Sequence, residues 1–341
     1  MLQSQVEAAT PVCETLAEAR RHLQRSRAAL GEAGRSHGLA VIAAGTHPTA
    51  DWPLQRQTEK QRYDAVMAEL QILGLRNLVC GMHVHVDVAE NDLRLDVMRR
   101  SIPFLPILLA LSTSSPFWRG MNTGFSSYRL TAYDELPRTG LPPLFSSWPQ
   151  YRAYTEALRR AGAIRDPSFI WWAIRPSHKY PTLELRVPDA CTTLDDTLAI
   201  AALYRCLVCA LTGDRTINRS IDSPGRALAK ENKWRVQRFG LNAELIDPFR
   251  QHAAIDVPTA VRRLVDMLRR HAAALGCLGE IEHVETILAG GTSADRQLAI
   301  YEAAIARGCV EHDALRQVSA WLRQETLACC TAETEPVASG A

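Results

Sequence analysis

Hydrophobic residues recur along the chain with two periods, and the period separates helices from strands. Leu16, Leu23 and Leu30 return at heptad spacing and Gly31 and Gly34 follow them, so residues 12–30 are predicted helical. Residues 59–73, closed by Gly74, and residues 91–112, kinked at Pro103 and Pro106, read the same way. The C-terminal third is helical over 194–212, 258–275 and 294–327, with a break near Gly308. Strand signals are shorter: an apolar run at 39–44 and strand-like segments at 77–88, 169–175 and 182–187. Serine, proline, glycine and aromatic residues crowd together over 112–149, which predicts a long loop or lid rather than a packed element. Strands and helices are mixed without a regular βαβ alternation, so the pattern predicts an α+β fold. Residues 1–328 read as one domain and 329–341 as a disordered tail, and no internal repeat is visible.

Two of the strand-like segments carry chemistry. In an extended chain alternate side chains share a face, so His83, His85 and Asp87 line one side of the first segment while Val84, Val86 and Val88 line the other. Glu184 and Arg186 share a face of the second, with Leu183, Leu185 and Val187 opposite. A face bearing imidazoles and carboxylates can hold a divalent cation, and a nearby guanidinium clamps phosphate oxygens, so the combination points to phosphoryl chemistry. Plainer readings exist for each residue. Glu184 and Arg186 could pair with each other, and His47, in a Gly-Thr-His-Pro turn, could cap local backbone. His-x-His on a strand also marks zinc hydrolases on eight-fold βα barrels, but those require a repeat and further metal-binding histidines.

Composition narrows the class without choosing the reaction. A chain of 341 residues with 47% hydrophobic and 22% charged residues can bury a large core. A net charge of +2 supplies no basic field for nucleic acid. The longest apolar stretch, 102–111, is too short to span a bilayer, and the N-terminus lacks the charged-then-apolar order of a signal peptide. Nine cysteines, odd in number and scattered, read as thiols of a reducing cytoplasm. Cys206 and Cys209 sit in an apolar run, where cysteine serves as a small core residue.

The order Gly-Met-His-Val-His-Val at 81–86, then Leu-Glu-Leu-Arg-Val-Pro-Asp at 183–189 running into a long apolar helix, resembles the glutamine synthetase superfamily. The closer match is its carboxylate-amine ligase branch, glutamate-cysteine ligase type 2. Four further stretches support that branch: Gln-Ser-Gln-Val-Glu at 3–7, Gly-Thr-His-Pro at 45–48, Ser-Tyr-Arg at 127–129, and Glu-Asn-Lys-Trp-Arg at 231–235 with Arg-Phe-Gly at 238–240. The similarity covers nearly the whole chain.

The resemblance implies a curved, mainly antiparallel sheet forming a funnel with helices outside, as in glutamine synthetase and the guanido kinases. It implies ATP, Mg2+ (or Mn2+), glutamate or another carboxylate, and cysteine or another amine, reacting through an acyl phosphate. Charge and apolar-run length give no nucleic-acid or membrane partner, and the apolar stripes of the helical C-terminal third fit a homodimer face and packing on the sheet equally. By the same resemblance His83, Glu184 and Glu7 would ligate metal. His85 and Arg186 would contact the nucleotide, with Arg186 and Glu184 catalytic, while Arg129, Arg175, His47 and Arg235 would hold substrate. The family also opens with a strand carrying Gly-Val-Glu-Glu-Glu, and this sequence opens at the element after it. Two expectations follow: a ligase whose start lies upstream, or a truncated, impaired nucleotide- or substrate-binding remnant.

Overall fold

The computed structural model describes residues 2–59, 67–250 and 253–330 of the chain. Its core is built around a helix that is buried on most sides. α1 (Leu16–Ser36), α2 (Ile72–Arg76), α3 (Asn91–Ser101), α4 (Leu105–Ser112), α5 (Tyr128–Tyr133), α6 (Trp148–Arg160) and α7 (Leu194–Gly213) precede the C-terminal set. That set comprises α8 (Ser223–Phe239), α9 (Val257–Ala274), α10 (Leu278–Glu282), α11 (Val284–Gly290), α12 (Ser293–Ala306) and α13 (Glu311–Ala328). α7 is the central element: Thr193 caps its N-terminus by accepting from the Asp196 amide, and Leu198, Leu203, Leu207 and Leu211 are all buried. α1, α3, α4, α9 and α10 pack around it. Among the described residues no helix is long and apolar enough to cross a membrane.

The strands are short and antiparallel: β1 (Val84–Asp87), β2 (Phe117–Trp118), β3 (Met121–Asn122), β4 (Ile174–Pro176), β5 (Thr182–Leu185), β6 (Glu244–Ile246) and β7 (Ala254–Asp256). The sheet that matters here is three-stranded, in the order β1-β5-β4. Leu183, Leu185, Val187 and Ile174 are fully buried on its inner face, each contributing about 1.5–3 kcal/mol of transfer free energy. The Tyr204 hydroxyl of α7 donates to the Leu183 carbonyl at 3.2 Å and fixes helix to sheet. With three separate sheets and a helical majority, the architecture is α+β.

Several expected boundaries hold. The kink at 102–104 is a 3₁₀ turn containing Pro103, and the break near Gly308 separates α12 from α13. Others are corrected. The run at 39–44 is buried at its end but forms no strand, because its backbone groups are satisfied by side chains: Ala43 N–H donates to Thr326 Oγ1 and Ala43 C=O accepts from Thr192 Oγ1. The segment 77–88 is extended but joins the ladder only at β1, with single bridges from Val79 to Thr46 and from Gly81 to Asp189. The region 112–149 is no unpacked lid. It contains α5 and the β2–β3 hairpin, and buries Phe117, Ser115, Ser127 and Arg129. The predicted helix at 59–73 falls partly on 60–66, outside the described residues; 67–70 are helical, and α2 continues past Gly74 to Arg76. Cys206 is buried as expected, but Cys209 is exposed. Of the expected tail at 329–341, residues 331–341 lie outside the described residues.

Candidate functional site

The register of the three-stranded sheet assembles the site. His85 lies opposite Glu184 and Glu184 opposite Arg175, so three ionisable side chains form one row across the outer face. His83 and Arg186 lie two residues along from His85 and Glu184 and share that face. The apolar residues between them face the core, so burial of the inner face is what aims the polar set outward.

Glu184 is the centre of the cluster, with its side chain only 4% exposed. Arg175 donates from Nε to Oε2 at 2.7 Å and from Nη2 to Oε1 at 3.3 Å, and Arg186 Nη1 also donates to Oε1. Burial pushes the carboxyl pKa up, but the Arg186 and Arg175 charges outweigh it and hold it at about 2. Nδ1 of His83 and Nε2 of His85 stand 3.6 Å and 3.9 Å from Glu184 Oε1. Burial, reinforced by Arg186, holds the His83 pKa well below the usual imidazole range, so the ring is neutral. His85 is shifted the same way by burial, against the pull of Glu184, and its Nδ1 bonds Thr182 Oγ1 at 2.8 Å.

Arg186 spreads its fork over three partners: Glu184, His83 Nδ1 at 3.3 Å and the Tyr133 hydroxyl at 3.0 Å. Its Nε–H is shielded from water and has no partner, an uncompensated cost of about 1–3 kcal/mol. Tyr133, from α5, is a site residue that the strand pattern could not reveal, because its region reads as loop. Beside it Asp134 pairs with Lys233 of α8, which is buried. The charge-rich 231–235 stretch therefore does approach the site, but through Lys233. Arg235 instead bonds Glu231 Oε1 at 2.9 Å and the Glu244 carbonyl at 3.1 Å, away from the cluster.

The other expected contacts separate from it as well. Arg129 is fully enclosed: Nη1 donates to the carbonyls of Arg186, Val187 and Pro188 at 3.3, 3.1 and 3.0 Å, and stands 3.9 Å from Asp189. It holds the end of β5 from beneath and has no surface to offer a substrate. Asp189, itself fully buried, accepts from the Ser114 amide and from the Ser115 and Ser127 hydroxyls at 3.0, 2.7 and 2.9 Å. Arg175 spends its two Nη1 donors on the carbonyls of Ser168 and Ile170. His47 Nδ1 accepts from the Thr49 and Ala50 amides at 3.2 and 3.1 Å, the local cap its turn allows. Glu7 is exposed, and its neighbour Gln5 ties this segment to Val79 C=O at 2.9 Å.

The donor set does not suit a magnesium or manganese ion as arranged. Among the described residues no group of three or more His, Cys, Asp or Glu side chains could hold a metal. Both Glu184 oxygens already accept from guanidinium groups, whereas a hard cation takes such oxygens for itself. What the outer face presents around Glu184 is positive charge: two guanidinium groups against its one carboxylate, with Tyr133 and two imidazoles around them, while Asp87 lies further along β1 opposite Thr182.

Comparison with known proteins gives these residues a context. The family model described as glutamate-cysteine ligase family 2 matches residues 1–320. A Rhodospirillum rubrum protein named "Putative glutamate--cysteine ligase 2" is 45% identical over 327 residues, covering 96% of this chain and 84% of its own. A protein of the same name from Bradyrhizobium sp. ORS 278 is 46% identical over 301 residues, covering 88% and 73%. In three dimensions the chain resembles the glutamate–cysteine ligase of Francisella tularensis solved in complex with AMP. The TM-score is 0.58 at 13% identity, over 89% of this chain and 80% of that one, a likeness of fold. With the model match spanning the sheet, the central helix and most of the C-terminal helices, the chain belongs to glutamate-cysteine ligase family 2.

Proposed function

We propose that this chain is an ATP-dependent carboxylate–amine ligase that joins the side-chain carboxylate of glutamate to an amine, cysteine being the first candidate, in the cytoplasm. The observation that carries the reading is the convergence of Arg175, Arg186, His83 and His85 on Glu184, on the accessible face of a sheet, in a member of this family. The names of the relatives suggest the two substrates, and the AMP in the Francisella neighbour suggests an adenine nucleotide. The β1-β5-β4 sheet is then one wall of the funnel the family resemblance implies, and residues 1–328 act as one unit.

A glutamate carboxylate oxygen attacks the γ-phosphorus of ATP, the bond to the bridging oxygen breaks, and ADP leaves with its electron pair. The amine nitrogen then attacks the acyl carbon of the acyl phosphate, inorganic phosphate leaves, and the nitrogen loses a proton to give the amide. Such chemistry asks for positioning and for charge neutralisation around the transferred group. Arg186 is the residue we assign to the developing negative charge, because it is held rigidly by Tyr133 and Glu184 and sits beside the His83 imidazole. Glu184 and Arg175 orient it. Arg129 is assigned a positioning role rather than a substrate contact.

The test is ADP release by the 341-residue chain with ATP, glutamate and magnesium, with and without cysteine, together with detection of the amide. Arg186→Gln should lower kcat by roughly 10²–10³-fold, the scale of losing one preorganised charge donor. A second reading, nucleotide or carboxylate binding without turnover, draws on the commitment of both Glu184 oxygens to arginines. Tight binding with no ADP release from a folded chain would establish it in place of the ligase.

A further inference from the structure

We infer that the Glu184 cluster is a direct oxyanion cradle, taking a carboxylate or phosphate oxygen on Arg186 and His83 without a bridging metal ion. The inference rests on the ligase reading only for its choice of ligands.

Three observations carry it. First, Glu184 has no oxygen to spare, since Arg175 occupies one and Arg175 and Arg186 share the other. The two guanidinium groups leave the cluster with one uncompensated positive charge. The neighbouring acids do not neutralise it: Asp134 pairs with Lys233, Asp189 lies beneath β5 with Arg129, and Asp87, on the same face, sits opposite Thr182 at the far end of β1, where its charge acts on Arg94. Second, a guanidinium can only donate, so its contact at 3.3 Å makes His83 Nδ1 the acceptor. The neutral ring then carries its proton on Nε2, which offers an N–H where a metal would need a lone pair. Third, the Arg186 Nε–H has no partner at all. These uncommitted atoms are donors, which is the complement of an oxyanion and the opposite of a cation site. The His83 and His85 side chains, 31% and 38% exposed, mark the open side from which a ligand arrives.

Calorimetric titration of the full chain with ADP, and separately with glutamate, tests this in EDTA and again in excess magnesium chloride. Binding of either ligand in EDTA, within about threefold of its affinity in magnesium, is the expected result. ADP alone would identify a phosphate seat, and glutamate alone a carboxylate seat. Glu184→Gln removes the charge that competes with the incoming anion and should tighten binding in EDTA by about tenfold. A metal-bridged site predicts the reverse, loss of binding in that variant. Binding only with magnesium overturns the cradle while leaving the ligase reading intact, as does weakened binding in a folded Glu184→Gln. Absence of binding under both conditions also overturns it, and the ADP-release assay then reports separately on the ligase reading. Should Glu184→Gln fail to fold, by circular dichroism, the EDTA titration of the unaltered chain decides alone.

Discussion

A methyl group at residue 81 would land inside a guanidinium. A Cβ built on Gly81 lies 2.1 Å from Arg129 Nη2 and 2.5 Å from its Cζ, and Arg129 cannot retreat because three consecutive β5-end carbonyls hold it. Gly81→Ala should therefore cost about 3 kcal/mol, from overpacking and from loosening a buried ionic group, seen as a lower urea midpoint. A midpoint unchanged from the parent chain would show that Arg129 is not the rigid support it is taken for. Arg129→Lys is expected to be nearly as damaging, since one ammonium cannot reproduce a planar fork spread over those carbonyls. This residue also marks how far the site was legible. Alternation along the two strands placed His83, His85, Glu184 and Arg186 on one face, and the sheet brings those faces together. Alternation says nothing of depth, so Arg129 read as an available cation. Tyr133 was invisible, since its position depends on how 112–149 folds back over β5.

Among the elements, long apolar helices were the easiest to read: 194–212 became Leu194–Gly213 because nearly every face of that helix is buried and its length exceeds any strand. α8 was missed, lying in the unassigned stretch between the predicted helices at 194–212 and 258–275. Local signals were nevertheless present: Asp222 accepts from the Gly225 amide as N-cap, Pro224 stands in the first turn, and Gly240 closes the helix at φ 55°. The helix is anchored by its polar residues. Asn232 donates from Nδ2 to Ile246 C=O at 2.7 Å and accepts Ile246 N–H at 2.8 Å, acting as a strand partner for β6, and Gln237 C=O accepts from the Ser126 and Ser127 amides. Asn232→Leu should leave a backbone donor and acceptor unsatisfied and cost about 2–4 kcal/mol. Faster hydrogen exchange confined to 223–246 would place the loss in this element; a spread over α7 would argue instead for a general loss of packing.

At the scale of the whole molecule, the clamped carboxylate makes stability depend on pH with a definite sign. Glu184 titrates near 2 in the folded chain against an ordinary value of 4.5, so between those limits the unfolded chain binds the extra proton and stability falls as pH falls. Above about pH 5 the contribution is complete, and at about 3 kcal/mol it is a sizeable part of a typical domain's stability. His83, depressed by burial and by Arg186, acts in the same direction but earlier, beginning as pH falls through the ordinary imidazole range. Asp189 opposes both: burial raises its pKa, so the folded chain takes up that proton first and gains stability on acidification. Comparing urea unfolding of the parent chain with Glu184→Gln cancels Asp189, whereas His83 cancels only in part, because the Glu184 charge 3.6 Å away favours its protonated form. The gap between the curves should be widest near pH 7 and close by about 3 kcal/mol on descending to pH 2 to 3. A gap that stays constant over that range would mean that Glu184 does not interact with Arg175 and Arg186 strongly enough to organise the sheet's outer face, and the geometry on which the cradle depends would fall with it.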